Sequence, residues 1–136
     1  MHPAFDPYFT PYLDPTVLAQ RYAELARSLH RTPLMQSASL NAWSGAELHF
    51  KCENFQKSGA FKMRGVANAL RELSLGGLPH GGVCTHSSGN HGQALAWASR
   101  ELGIPCTVVM PSNAPQFKKD AVRTAGGLII ECEPNL

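Results

Sequence analysis

Two stretches carry the side chains able to do chemistry. The first, SGAFKMRGV (58–66), opens an amphipathic pattern with Lys62 near its start. Met63, Val66, Leu70 and Leu73 recur at spacings of 3, 4 and 3, as on one stripe of a helix. Lys62 projects within that stripe, close to Ala69 and Leu73, whereas Arg64, Asn68, Arg71 and Glu72 project to the other side. Ser58 is a candidate N-cap, which places Lys62 in or just after the first turn. An ammonium there opposes the helix dipole and meets an apolar surface, and both features favour a neutral, nucleophilic amine. The alternative is a long side chain that carries its ammonium past the stripe into water.

The second stretch, THSSGNHGQA (85–94), joins a strand pattern to a helix pattern. Its small residues let a ligand approach the backbone, and the free N–H groups of a helix start suit an anion. Ser87, Ser88, Asn90 and His91 add side-chain donors at the carboxyl end of a strand, where open α/β sheets bind ligands. The loop is neither G-x-G-x-x-G nor a P-loop, because no Lys-Ser/Thr follows its glycines. A glycine turn with a serine cap is the purely structural alternative. Together, an amine of suppressed charge and a strand-end loop for an anionic planar ligand are what a cofactor bound through its carbonyl requires.

Other chemistries find less support. Cys52, Cys84, Cys106 and Cys132 are 32, 22 and 26 residues apart without a C-x-x-C, the usage of reduced, buried thiols in a cytoplasmic protein. Cys84, His86 and His91 match no usual zinc spacing, so no metal site is expected. A net charge of +2, with no basic cluster beyond Lys118-Lys119, does not favour nucleic acid. No apolar run of about 18 residues suggests a membrane span. The opening MHPAFDPYFTPYLDP reads as an irregular arm and lacks the basic-then-apolar order of a signal peptide. With 43% apolar and 16% charged residues, the 136-residue chain has the composition of a small globular unit.

The elements that must position the two stretches follow from periodicity. Asp14-Pro15 starts a helix that Leu18, Tyr22, Leu25 and Leu29 carry to about residue 29, where RTPL breaks it. A short helix is expected over 37–43, a strand over 47–53, and the Lys62 helix over 60–73. SLGGLPHGG (74–82) reads as a linker. Beyond it come a strand (83–86), a helix (90–102), a strand (106–110), a helix (113–125) with Phe117, Ala121 and Ala125 on one face, and a strand (128–132). This alternation predicts an α/β fold with a parallel sheet and right-handed crossovers. The chain ends at EPNL directly after a strand, where a further helix is expected to cover the sheet, so it reads as truncated.

ENFQKSGAFKMRG (53–65) and THSSGNHGQALAWA (85–98), in this order, resemble the fold-type II pyridoxal-phosphate enzymes, in the branch of serine racemases and serine/threonine dehydratases. RTPL, HFKCE, GIPCTVVMP and ECEP are similar to that branch at matching places, so the resemblance covers about residues 29–134. It implies parallel sheets with flanking helices and pyridoxal 5'-phosphate as cofactor. It makes Lys62 the lysine that carries the cofactor and takes the substrate's α-proton. Phe61 would pack beside the cofactor ring, and Asn90 would hydrogen-bond its phenolic oxygen. Ser87, Ser88, Asn90 and His91 would hold the carboxylate of an amino-acid substrate, with Gly89 and Gly92 allowing the close approach.

The implied reaction is an ammonia-lyase (dehydratase) conversion of L-serine or L-threonine to a 2-oxo acid and ammonia. The alternatives are a serine racemase, with Ser88 as the acid opposite Lys62, and a non-catalytic truncated fragment. The family's glycine-rich phosphate loop, the partner of the pyridine nitrogen and the divalent-cation site have no counterpart here. Residues 1–80 would be the N-terminal part of the larger cofactor domain and residues 81–136 part of the smaller α/β domain, both incomplete. A homodimer is expected for the full-length form. SASL (37–40) replaces a double-serine pattern, which weakens the expectation of nucleotide control.

Overall fold

The computed structural model describes residues 14–77 and 80–134. The proline-rich opening arm and Leu78-Pro79 of the linker lie outside the described residues. Helix α1 (Pro15–Leu25) starts as its sequence dictates. The Asp14 carboxylate accepts from the N–H groups of Thr16 at 2.7 Å and Val17 at 3.4 Å, and these bonds hold its pKa below the ordinary aspartate value. The helix stops at Leu25 and not near Leu29. A turn in which the Ser28 N–H donates to the Leu25 carbonyl takes over, and Leu25 and Leu29 are both buried.

Strand β1 (Leu34–Met35) pairs antiparallel with β2 (Phe50–Lys51) around helix α2 (Ala38–Ser44). Ser37 caps α2 through the Leu40 N–H, and Gly45 ends it at φ 69°. The strand expected over 47–53 is therefore only two residues long, because its partner offers two residues. The chain then turns through a short 3₁₀ segment, Glu53–Phe55.

Helix α3 (Lys62–Leu75) begins later than Ser58 predicts. Ser58 is buried, and its hydroxyl donates to the Ala60 carbonyl at 3.4 Å instead of capping the helix. Lys62 becomes the first helical residue. The buried stripe is Met63, Val66, Ala67 and Leu70, with Leu73 half exposed at its end.

Strands β3 (Val83–His86), β4 (Cys106–Pro111) and β5 (Leu128–Cys132) form a parallel sheet in that order. Helix α4 (Asn90–Leu102) connects the first pair and α5 (Gln116–Thr124) the second. Cys106, Val108 and Met110 of β4 share one core with Ala94, Ala96 and Ala98 of α4, Val122 of α5 and the buried stripe of α3. Both crossover helices thus lie on the same face of the sheet. α5 is shorter than the expected 113–125 because Pro115 sits at its N-cap. Its buried face is Lys119 and Val122, with Ala125 just beyond, while Phe117 is 66% exposed, so the expected Phe117–Ala121–Ala125 face is rotated. Among the described residues no helix is long and apolar enough to cross a membrane.

Candidate active site

The loop that delivers Lys62 is fixed by side chains. Gln56 is buried; its amide oxygen accepts from the His30 N–H at 2.8 Å and its amide nitrogen donates to the His30 carbonyl at 3.0 Å. That reciprocal pair ties the loop to the end of the α1 segment as a strand pair would. Glu53 and Arg64 then bracket Lys62. The Arg64 guanidinium donates through Nε to Glu53 Oε2 at 2.8 Å and through Nη2 to Oε1 at 2.7 Å. Thr32 donates its hydroxyl to the same carboxylate at 2.5 Å, and Lys51 Nζ donates to the Thr32 carbonyl at 2.6 Å. The Arg64 hydrogen bonds, and secondarily the Thr32 hydroxyl, hold the Glu53 carboxyl below the usual glutamate value; the same bonds raise Arg64. The clamp anchors the first turn of α3 to β2, although the helix has no side-chain cap of its own.

Lys62 stands on the face of α3 that extends through Gly65, Val66, Ala69 and Leu73. Those four residues line a cleft of about 280 Å³ whose opposite wall is Val83, Cys84 and Thr85 of β3 with His91 and Leu95 of α4. Of the 85–94 stretch, Thr85 and His91 border this cleft; Lys62, Ser87, Ser88 and Asn90 are not among its lining residues. Lys62 itself is exposed, its Nζ 5.0 Å from the Phe61 ring centroid, and Phe61 is 60% exposed. The expected burial of the amine against the apolar stripe is not met: the stripe is packed from Met63 onward, and Lys62, one residue before it, stands off that stripe and is exposed. The first-turn position is met.

The loop residues divide by role. Ser87 continues the sheet, its N–H donating to the Val109 carbonyl at 3.0 Å. Its hydroxyl oxygen accepts from the N–H groups of Gly89 at 3.2 Å and Gly92 at 3.0 Å, so it holds the loop together. A Cβ on Gly92 would lie 2.7 Å from Val108 Cγ1, so this glycine lets α4 pack onto β4, where close approach to a ligand was expected of it. A Cβ on Gly89 would meet nothing within 4 Å, so the backbone there borders open space. Ser88 and Asn90 are exposed and His91 is half-buried. Among the described residues the N–H groups of Ser88, Asn90 and His91 have no partner. The Asn90 amide oxygen accepts from Lys118 Nζ of α5 at 2.5 Å.

Sequence reasoning missed Gln56, the Thr32–Glu53–Arg64 clamp and Lys118. Glu53 and Arg64 lay inside the quoted motif, and a carboxylate and a guanidinium 11 residues apart on either side of the lysine were the available signal. No local signal joins Lys118 to Asn90, which are 28 residues apart.

The donor set fits an anionic cofactor that carries a carbonyl. One exposed primary amine can bond to it, and the exposed Ser88 hydroxyl, the Asn90 amide nitrogen and the N–H groups of Ser88, Asn90 and His91 have no partner among the described residues. The family model described as "Pyridoxal-phosphate dependent enzyme" matches residues 25–136. The beta-hydroxyaspartate dehydratase of Paracoccus denitrificans is 55% identical over 107 residues, 79% of this chain and 34% of that protein. The serine racemase of Dictyostelium discoideum is 42% identical over 119 residues, 88% of this chain and 36% of that protein. The crystal structure of a pyridoxal 5'-phosphate-dependent aspartate racemase superposes with a TM-score of 0.82 at 41% identity, over 88% of this chain and 37% of that one. The chain thus spans about a third of the length of the relatives it matches. With two ordered motifs, the fold and these similarities in agreement, the chain belongs to the family of pyridoxal-phosphate dependent enzymes.

Proposed function

We propose that this chain provides the lysine and the substrate loop of a dehydratase that converts a β-hydroxy amino acid, L-serine or L-threonine, to a 2-oxo acid and ammonia. The observation that carries this reading is the one cleft shared by the α3 residues that follow Lys62 on its face and by Thr85 and His91 of the second motif, in a chain 55% identical to a beta-hydroxyaspartate dehydratase. Pyridoxal phosphate, when bound, supplies the electron sink that makes a proton at Cα removable. Lys62 would hold the cofactor, Phe61 would flank its ring and Asn90 would donate to its phenolic oxygen. The N–H groups of Ser88, Asn90 and His91 would bind the substrate carboxylate, with the Ser88 hydroxyl and the His91 ring beside them. Ser87 would serve that site by shaping the loop.

Lys62 Nζ would take the α-proton, and the β-hydroxyl would leave as water, the proton lost from Cα and the departing hydroxide together making up that water. The unsaturated product takes water back up as it breaks down, so the balance is one amino acid to one 2-oxo acid and one ammonia. A second reading, racemisation, draws on the exposed Ser88 hydroxyl and on the 42% identity to a serine racemase.

The test uses a protein of the relatives' length that contains this chain. Release of 2-oxo acid and ammonia in equal amounts from L-serine or L-threonine is expected, and Lys62→Ala should abolish it. Conversion of L-serine to D-serine without 2-oxo acid would replace the dehydratase reading with the racemase one.

A further inference from the structure

We infer that Lys118 is a positioning residue that sets the orientation of the Asn90 amide. The inference rests on the reading of Asn90 as a donor to the cofactor and adds a residue that neither motif contains. Lys118 Nζ lies 2.5 Å from Asn90 Oδ1. A lysine ammonium has donors and no acceptor, so only the oxygen of the amide can face it. The other end of the amide, its NH₂ group, is thereby turned away from α5. It has no partner among the described residues. Without the lysine, the amide could rotate and present its oxygen to an anionic ring oxygen, which would repel it.

The placement of Lys118 is built into α5. The neighbouring Lys119 is buried, its Nζ donating to the Ser112 carbonyl and to Glu131 Oε1, both at 2.8 Å. That anchor fixes the rotation of the helix, and Lys118, one residue earlier, is directed to the start of α4. Among the described residues Lys118 pairs with no carboxylate, unlike Lys57, Lys119 and Arg123. A cation beside the N-terminal end of α4 also opposes that helix's dipole, so stability of α4 does not account for it.

Two measurements test this, the first on the 136-residue chain and the second on a protein of the relatives' length that contains it. In the cofactor-free chain, the side-chain amide resonances of Asn90 should shift in Lys118→Met and stay near their place in Lys118→Arg, while resonances of 14–77 are unchanged. Unmoved Asn90 amide resonances in Lys118→Met would overturn the proposal. With added pyridoxal 5'-phosphate, followed by visible absorbance, Lys118→Met should weaken binding on the order of tenfold and shift the band, as for a lost charge-assisted hydrogen bond. In an Asn90→Ala background the same substitution should add nothing. An equal loss in both backgrounds would show that Lys118 acts independently of the amide and would overturn the proposal alone. If Asn90→Ala leaves affinity and band unchanged, the reading of Asn90 as a cofactor donor falls, and the proposal with it.

Discussion

Ser88 separates the two chemistries at the level of one hydroxyl. Elimination needs a base on one side of Cα, the role we propose for Lys62. Racemisation also needs a proton donor on the opposite side, and the exposed Ser88 hydroxyl is the candidate. In a protein of the relatives' length, Ser88→Ala is expected to reduce D-serine formation by on the order of 10²–10⁴ and to leave 2-oxo acid release comparatively intact. Chiral analysis beside 2-oxo acid release on one sample measures both; equal loss would make Ser88 a loop or carboxylate residue. The Glu53 clamp yields a pH prediction. Its carboxyl titrates below the ordinary glutamate value in the folded chain, chiefly through Arg64. A depressed pKa stabilises the fold above the unfolded-state value, and that contribution is lost as pH falls through the folded-state value. Glu53→Gln should therefore cost about 2 kcal/mol near neutrality and flatten the loss of stability on acidification below the glutamate range, read from urea melts across pH. Equal acid sensitivity in both forms would contradict the assignment. The candidate residues could be named from sequence because Lys62 and the 85–94 loop stand in continuous motifs; the side chains that contact these stretches, Gln56, Thr32 and Lys118, could not, since their partners are distant in sequence.

Among the elements, α5 shows where periodicity falls short. Its hydrophobic residues pointed to a Phe117 face, yet the fold buries Lys119 and exposes Phe117. A lysine is tolerated there because its stem packs apolar surface and its ammonium finds both the Ser112 carbonyl and Glu131. Lys119→Met is expected to cost about 1–3 kcal/mol in urea melts, whereas Phe117→Ala should stay within about 0.5 kcal/mol. The reverse order would restore the Phe117 face. The parallel strands were read to within a residue, since β3, β4 and β5 are short and bounded by clear turn signals. The 47–53 strand was overread: alternation sets the faces of a strand, but its length is set by the partner, and β1 supplies two residues.

At the scale of the whole molecule, the described residues cover the sheet on one side. Cys84 and His86, opposite Thr107 and Val109, share the other side with Leu128 and Ile130, which are 63% and 51% exposed. Such a face drives association. The 136-residue chain is expected to self-associate in sedimentation runs, and Ile130→Lys to shift it toward monomer; an unchanged distribution would mean another surface is responsible. The expected division at about residue 80, with 1–80 and 81–136 assigned to two domains, remains our proposal, as does a homodimer for the longer form. The central claim is that Lys62 is the amine that takes the cofactor. Borohydride reduction in the presence of pyridoxal 5'-phosphate, followed by peptide mass spectrometry, tests it most directly. The account predicts the reduced label on Lys62 and its loss in Lys62→Ala. A label on Lys57 or Lys118 that persists in Lys62→Ala would contradict it.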